Sequence, residues 1–361
     1  MATVLVVGGA GYVGSVLTRE LLDRGYAVRI LDRLYYGEQG LAEVRDRVQL
    51  HVGDMRSVSR ELLDGVECVI NVGGLSNDPT AEFNPKANYE MNTTASIKLA
   101  ALCRQEKIDR YIYASSCSIY DHGVIDQSRD VVQDEEADVD PPGAYAGSKL
   151  AAEHELRAMA SSDFCVSILR KGTLYGFSPR MRYDLVVNTF VKDALKTGVI
   201  SLHLGGEMWR PLADVRDAAR AYITLVRADP QRVNGQVFNL VFRNFRISEL
   251  ALRVREALRA LDIDVEIRTD YSYAGIRDYR VDGNKLERTL DFSPAISVEE
   301  SVKTMVTEIR RHNYLDFDNP RYYNIQWMRL LQEAQTVIDI TGSVFEAPPQ
   351  IAKQFPRQTT G

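Results

Sequence analysis

Four cysteines in 361 residues, Cys68, Cys103, Cys117 and Cys165, are too sparse and too far apart for a disulfide-framed fold or a CxxC metal or redox pair. A reducing compartment, and hence a cytoplasmic location, is expected. No stretch approaches the roughly 18 consecutive apolar residues of a membrane span. The apolar start MATVLVVGG has no basic segment ahead of its glycine turn, so no signal peptide is expected either. Basic residues are not in excess: 44 Lys and Arg against 50 Asp and Glu leave a net charge of -6, which argues against a nucleic-acid or anionic-membrane partner. The five histidines are dispersed, and no metal constellation is visible. Repeats and low-complexity linkers are absent as well. What remains, 45% hydrophobic with 26% charged residues, describes a globular chain long enough for one large core or two lobes.

Short Val/Ile/Leu-rich runs at 3–7, 27–31, 48–52, 68–72, 110–114 and 166–169 predict strands buried on both faces. Between them, 15–23, 89–104 and 148–160 carry apolar residues at helical spacing. This alternation specifies α/β architecture, a doubly wound parallel sheet. After Gly176 the pattern loosens, with helices predicted at 186–196, 247–260 and 297–311 and a strand at 236–241 that is a candidate to rejoin the first sheet. We therefore expect residues 1–175, with later returns near 209–241, to form a cofactor domain. Residues 176–208 and 242–361 are expected to form a smaller mixed α/β substrate lobe and a tail.

GGAGYVG follows the first strand and opens a helix. Gly8 permits the tight turn, Gly11 lets the backbone approach a pyrophosphate, Gly14 allows close packing, and the amides of Tyr12 and Val13 face the negative charge. Asp32, ending the second strand, suits the adenosine ribose hydroxyls and repels a 2'-phosphate, which favours NAD over NADP. Arg33 beside it could greet such a phosphate or lie solvated at the surface. Asp54, ending the third strand beside Met55, is placed to meet the adenine amino group, or is a plain loop aspartate. The expected domain is a Rossmann fold.

Tyr145 and Lys149 in AYAGSK stand four apart at a helix start and so share a face. An ammonium beside a phenol favours phenolate, which predicts a lowered Tyr145 pKa and a general base for hydroxyl oxidation. Ser116, at the end of the fifth strand, is expected to share the proton's hydrogen bond.

With these motifs in place, the sequence resembles the extended short-chain dehydrogenase/reductase family, in its nucleotide-sugar epimerase/dehydratase branch. The resemblance spans roughly residues 1–311. It rests on GGAGYVG, GDM at Asp54, VINVGGLSNDP, Asn92, SSCSIY, YAGSK, LYGFSP, WRPLADVRDAA and RDYRVD. It implies that Ser116, Tyr145 and Lys149 form the catalytic triad and that Asn92 distorts its helix at the active site. Val72, Gly73 and Gly74 would pack against the cofactor with Ser76 next to the sugar, while Asn188, Arg210 and Arg280 would hold a nucleotide diphosphate. It also implies a homodimer formed through helices 89–104 and 148–160. The tail beyond 311 lies outside this resemblance, free to cap the second lobe or extend the dimer.

The 4,6-dehydratases of the branch carry Asp-Glu directly after the catalytic Ser/Thr, and Cys117 and Ser118 stand here instead, which disfavours that route. Cys117 is one residue short of the cysteine of the related 3,5-epimerases, so it offers either proton abstraction beside a ketone or mere space-filling. Lys171 replaces an aromatic or aliphatic residue of the relatives and could serve as an acid/base or bind a carboxylate. Asp121-His122 replaces the usual glycine. The expected activity is an NAD-dependent epimerase of a nucleotide-diphosphate sugar at C4. A reductase or dehydrogenase, a 3,5-epimerase and a non-catalytic NAD-sensing regulator are the alternatives, and the intact Ser116, Tyr145 and Lys149 set argues against the last.

Overall fold

A computed structural model describes residues 2–121, 131–271 and 277–342. Its main sheet has seven parallel strands: β1 (Thr3–Val7), β2 (Ala27–Asp32), β3 (Val48–Val52), β4 (Cys68–Asn71), β5 (Arg110–Ser116), β6 (Cys165–Lys171) and β7 (Gln236–Leu240). Their spatial order is β7-β6-β5-β4-β1-β2-β3. The order reverses between β1 and β4, and at such a switch point strand C-termini leave a crevice that α/β proteins use for ligands. Pairing such as Val4↔Val28 and Val4↔Cys68 fixes the register on both sides of β1.

Period-two alternation divides the central strands between two cores. Val4 and Val6 face one side with α1 (Tyr12–Asp23), while Leu5 and Val7 face the other with α2 (Ala95–Gln105) and α3 (Ala144–Ala158). Helix α5 (Val215–Arg227) packs on α1. A third core unites α4 (Val186–Thr197), the strand residue Leu212 just ahead of α5, α6 (Ile247–Arg259) and α7 (Val298–Arg311). A three-stranded sheet joins Arg243–Arg246, Trp209–Asp214 and Thr173–Tyr175, and a parallel pair joins Glu266–Asp270 to Val199–His203.

The seventh strand does rejoin the first sheet, as 236–241 suggested. Helix 89–104 is not continuous: Glu90–Thr94 forms a π turn, and the α-helix resumes at Ala95. Two long helices are additions to the pattern read from the sequence, besides short ones such as Asp78–Phe83 and Asn284–Leu290. One is α5, which Asp214 caps by accepting from the Arg216 amide at 2.8 Å. The other is α8 (Asn324–Thr341), in the tail. No helix among the described residues is long and apolar enough to cross a membrane.

Candidate functional site

A cleft of about 940 Å³ opens at the C-terminal ends of the main strands, lined by the glycine turn, Asp32, Ser116, Tyr145, Lys149, Lys171 and Arg210 among others. At its floor the chain turns from β1 into α1, whose first amides have no partner inside the helix and point outward. The close packing there needs glycine: a Cβ on Gly14 would lie 2.0 Å from the Gly8 carbonyl oxygen and 2.7 Å from Gly9 Cα. Asp32 accepts from the Ala10 amide at 2.9 Å and the Leu34 amide at 2.8 Å, which fixes its carboxylate at the rim of the turn. Burial raises its pKa against those two bonds. Glycine-shaped floor, outward amides and acidic rim together fit a dinucleotide. Gly8, Gly11, Tyr12, Val13, Val72, Gly73, Gly74, Met55 and Ser76 all line the same cleft.

Arg33 does not stand free beside Asp32. It pairs with Asp54 at 2.8 Å and lies 4.5 Å over the Tyr35 ring. Asp54 also takes a two-pronged contact from Arg56, through Nε at 3.1 Å and Nη2 at 2.7 Å to Oδ2. Burial opposes its charge, but Arg56 and Arg33 hold its carboxyl below the ordinary range. An adenine amino group would therefore compete with two guanidinium groups for Asp54.

Asn92 sits in the π turn. Tyr113 donates to its freed carbonyl at 2.8 Å, and its Nδ2 donates to Leu75 O at 2.9 Å and to Asn88 Oδ1 at 2.7 Å. Its Oδ1 lies 2.1 Å from where a Gly74 Cβ would stand, so the side chain presses the cofactor-side loop into place. Asn92 therefore acts from behind the cleft and is not part of its lining.

Ser116 ends β5 and accepts from the Ser118 amide at 3.1 Å. The Tyr145 hydroxyl, in the first turn of α3, hydrogen-bonds Ser116. Lys149, one turn on, donates to Ala114 O at 3.0 Å. The expected lowering of the Tyr145 pKa is reversed in this structure. Burial raises it, opposed by the Ser116 bond and by the Arg182 charge. The reason lies in Lys149 itself: its own burial brings it to about 7, so it is only partly charged near neutrality. Arg182, which stays charged, is the cation that favours the phenolate.

Lys171, at the end of β6, donates to Ser115 O at 2.7 Å, and burial plus the charge of Lys149 bring it to about 7. This sets a sign for stability. Unfolding returns the amine to its ordinary 10.5 and takes up a proton, so Lys171 weakens the fold fully below pH 7 and progressively less up to pH 10.5. Lys171→Met should therefore melt several degrees higher at pH 6–7, with a gap that closes toward pH 10. Melting curves across that range check it, and a constant gap would show that the amine keeps its charge in the fold.

Three of the candidate substrate residues, Asn188 and Arg280 from the resemblance and Cys117 from the departure next to Ser116, do not reach the cleft. Cys117 is fully buried between Ser116 and Ser118, in a cluster with Ile119 and Val281, and its thiol donates to Arg170 O at 3.3 Å. Burial pushes that thiol well up. The local turn explains this: β5 ends at Ser116, which caps a short 3-10 helix, Cys117–Tyr120, and Cys117 opens that helix on its packed side. Asn188 Oδ1 accepts from the Gly176 amide at 2.9 Å and its Nδ2 donates to Arg182 O at 2.9 Å, bracing the loop that carries Arg182. Arg280 lies 5.2 Å from the Trp209 ring, outside the lining. Ser118 and Arg210 do line the cleft. Ser118 Oγ has no hydrogen-bond partner among the described residues, and Arg210 reaches Trp209 O at 2.8 Å. Asp121 lines it too and pairs with Arg277 at 3.5 Å, while His122 is outside the described residues.

Several lining groups went unread in the sequence: Arg180, Arg182, Asp184, Arg277, Tyr279 and Asn324. Arg182 pairs with Asp184 through bonds of 2.8 and 3.0 Å, and Arg277 joins Asp78 to Asp121 across the mouth. The two-residue spacing of Arg180, Arg182 and Asp184 directly after LYGFSP was the available signal. Among the described residues, no cluster of His, Cys, Asp or Glu could hold a metal ion.

The NAD dependent epimerase/dehydratase family matches residues 4–240. The UDP-N-acetyl-alpha-D-glucosaminuronate decarboxylase of Bacillus cytotoxicus is 26% identical over 320 residues, covering 85% of this chain and 97% of that protein. Among solved structures, MoeE5 in complex with UDP-glucuronic acid and NAD is 24% identical, with a TM-score of 0.72 over 86% of this chain and 100% of that one. The UDP-glucose 4-epimerase of Thermotoga maritima, with UDP-glucose, is 22% identical, with a TM-score of 0.74 over 86% and 99%. Glycine turn, acidic rim and family match converge: the chain belongs to the NAD-dependent epimerase/dehydratase family of enzymes, with the Rossmann sheet of that family as its scaffold.

Proposed function

We propose that the enzyme epimerises a nucleotide-diphosphate sugar at C4 through a transient keto sugar. The observation that carries this reading is the placement of Tyr145, Ser116 and Lys149 in one cleft with the glycine turn, with neutral Ser118, two residues beyond Ser116, lining it beside them. Tyr145 takes the proton from the sugar hydroxyl and later returns it, while Ser116 holds the reacting oxygen in line. Bound at the glycine turn, NAD supplies a hydride acceptor and then a donor. Arg182 stabilises the phenolate between the two steps, and Lys149 adds to it only while protonated, below about pH 7. Arg210 holds the diphosphate, as bidentate guanidinium chemistry suits. Lys171 faces the sugar, where its amine can pair with a carboxylate substituent. The uronate in the decarboxylase's name and the UDP-glucuronic acid bound to MoeE5 bear such a group, which supports including uronates among the candidates.

Dehydration needs further acid and base groups beside the keto sugar, and Cys117 is turned away from the cleft. The second lobe, residues 176–208 and 242–361, would carry most of the substrate contacts. A second copy of the chain is proposed to pack on α2 and α3, next to exposed Tyr89. The test is a thermal-shift screen of UDP-, GDP-, dTDP- and CDP-sugars, uronates included, followed by NMR of the product. An inverted C4 centre with no net NADH is expected. Accumulating NADH or a deoxy-keto product would overturn the reading.

A further inference from the structure

We infer that Arg180, presented by Asn324 of the C-terminal helix α8, is the cation that grips the dinucleotide's diphosphate, so that α8 is a working wall of the cofactor cleft. Arg180 is only 6% exposed, yet it has no carboxylate of its own. Asp184 is bonded to Arg182, and Asp32 to the amides of Ala10 and Leu34. Its guanidinium lies 3.6 Å from the Tyr36 ring centroid, its Nη2 donates to Asn324 Oδ1 at 2.6 Å, and its Nε has no hydrogen-bond partner among the described residues. Burial brings it down to about 10, eased by Tyr36 and worsened by Arg182. A guanidinium buried without an anion is costly, and a phosphate supplies both the charge and the matching acceptor geometry.

The location selects which phosphate. Gly40 alone separates the Arg180 stem from the glycine turn: a Cβ there would stand 2.6 Å from Ala10 O and 3.2 Å from Arg180 Cβ. Ser178, two residues earlier, donates to Tyr12 O at 2.7 Å and meets Ser15 Oγ at 2.9 Å, which stitches this loop to the first turn of α1. The guanidinium therefore lies on the cofactor side, beside the helix N-terminus, whereas the proposed reading gives Arg210 and Lys171 to the nucleotide sugar. Asn324 is itself 4% exposed and is anchored at both neighbours: its Nδ2 donates to Ser76 Oγ at 2.8 Å and its amide to Asp184 Oδ2 at 3.2 Å. One turn on, Trp327 donates to Tyr35 O at 2.5 Å, closing α8 over the loop after β2.

The experiment titrates the full chain with NAD, ADP-ribose, adenosine and UDP by calorimetry. Arg180→Gln should weaken NAD and ADP-ribose by about 10- to 100-fold, the usual worth of a charge-assisted phosphate contact, and leave adenosine and UDP unchanged. Asn324→Asp places a carboxylate against Arg180, so NAD affinity should fall about tenfold or more while the melting temperature holds. A positional role for Asn324 in stability alone would leave NAD affinity untouched. The inference is overturned if either variant binds NAD like the parent, or if Arg180→Gln loses adenosine or UDP in parallel with NAD. None of these readouts depends on which sugar reacts, so failure here is separable from failure of the epimerase reading.

Discussion

Replacing Tyr145 with Phe should lower kcat on the substrate found in the screen by about 10²- to 10⁴-fold, the range that a positioned general base contributes. NAD affinity should stay at its parent value. The argument is geometric first: the phenol hydroxyl is bonded to Ser116 in the cleft, and only that hydroxyl is removed. Phe keeps the ring in the first turn of α3, so the fold and the cofactor wall are preserved. The pH dependence separates base from bystander. Burial holds the phenol above its ordinary pKa, so the parent's turnover should rise as pH climbs through the alkaline range, with Arg182 sustaining the phenolate while Lys149 neutralises around 7. Residual turnover of the Phe variant should lack that rise. Steady-state kinetics from pH 6 to 10 measure both effects, and a loss below tenfold with an unchanged profile would remove Tyr145 from the chemistry.

What the sequence makes legible follows from how local the physics is. β1 matches its expected bounds and the inner strands lie within two residues of theirs, because buried parallel strands read as continuous apolar runs between turn signals; β3 matches as well, although as the edge strand it is largely exposed and not buried on both faces as expected. The glycine turn and the Tyr145/Lys149 pair were legible for the same reason, being contiguous patterns with one backbone solution each. Arg180 and Asn324 were not, since 144 residues separate two side chains that share one hydrogen bond. Helix α8 escaped notice because its second half is exposed on every side and offers no apolar stripe. Of the two Cys117 readings, burial agrees with space-filling and not with proton abstraction: the chain leaves β5 at Ser116 for a 3-10 helix whose first residue packs inward, a turn that no residue pattern announced. The Tyr145 pKa reading failed because spacing places Lys149 beside the phenol but says nothing of its burial, which discharges the amine that was meant to do the lowering.

Glu153 extends the same helix face by one more turn, at i+8 from Tyr145, and ties stability to the site. Its carboxylate takes Arg170 Nε at 3.1 Å and Nη2 at 2.6 Å, with side chains only 1% and 5% exposed. Arg170 Nη1 continues to Tyr120 Oη at 2.7 Å. Glu153→Leu leaves that guanidinium buried and without its carboxylate, so it should cost about 3–5 kcal/mol by denaturant unfolding. Adding Arg170→Met removes the stranded charge and should restore most of the loss, giving a large coupling energy in the double-mutant cycle. Activity should not follow stability. Glu153 is the charge that props up the Lys149 pKa against burial, so in both the single and the double variant the Lys149 limb of the pH profile should move below about 7. Arg170→Met alone strands the carboxylate near Lys149 and should move that limb upward. Opposite shifts from the two single variants, with stability recovered but the profile still displaced in the double, would show one carboxylate serving two separable purposes. Additive stabilities would show that Glu153 and Arg170 are not a pair, and a profile that returned with stability would leave Glu153 no influence on Lys149.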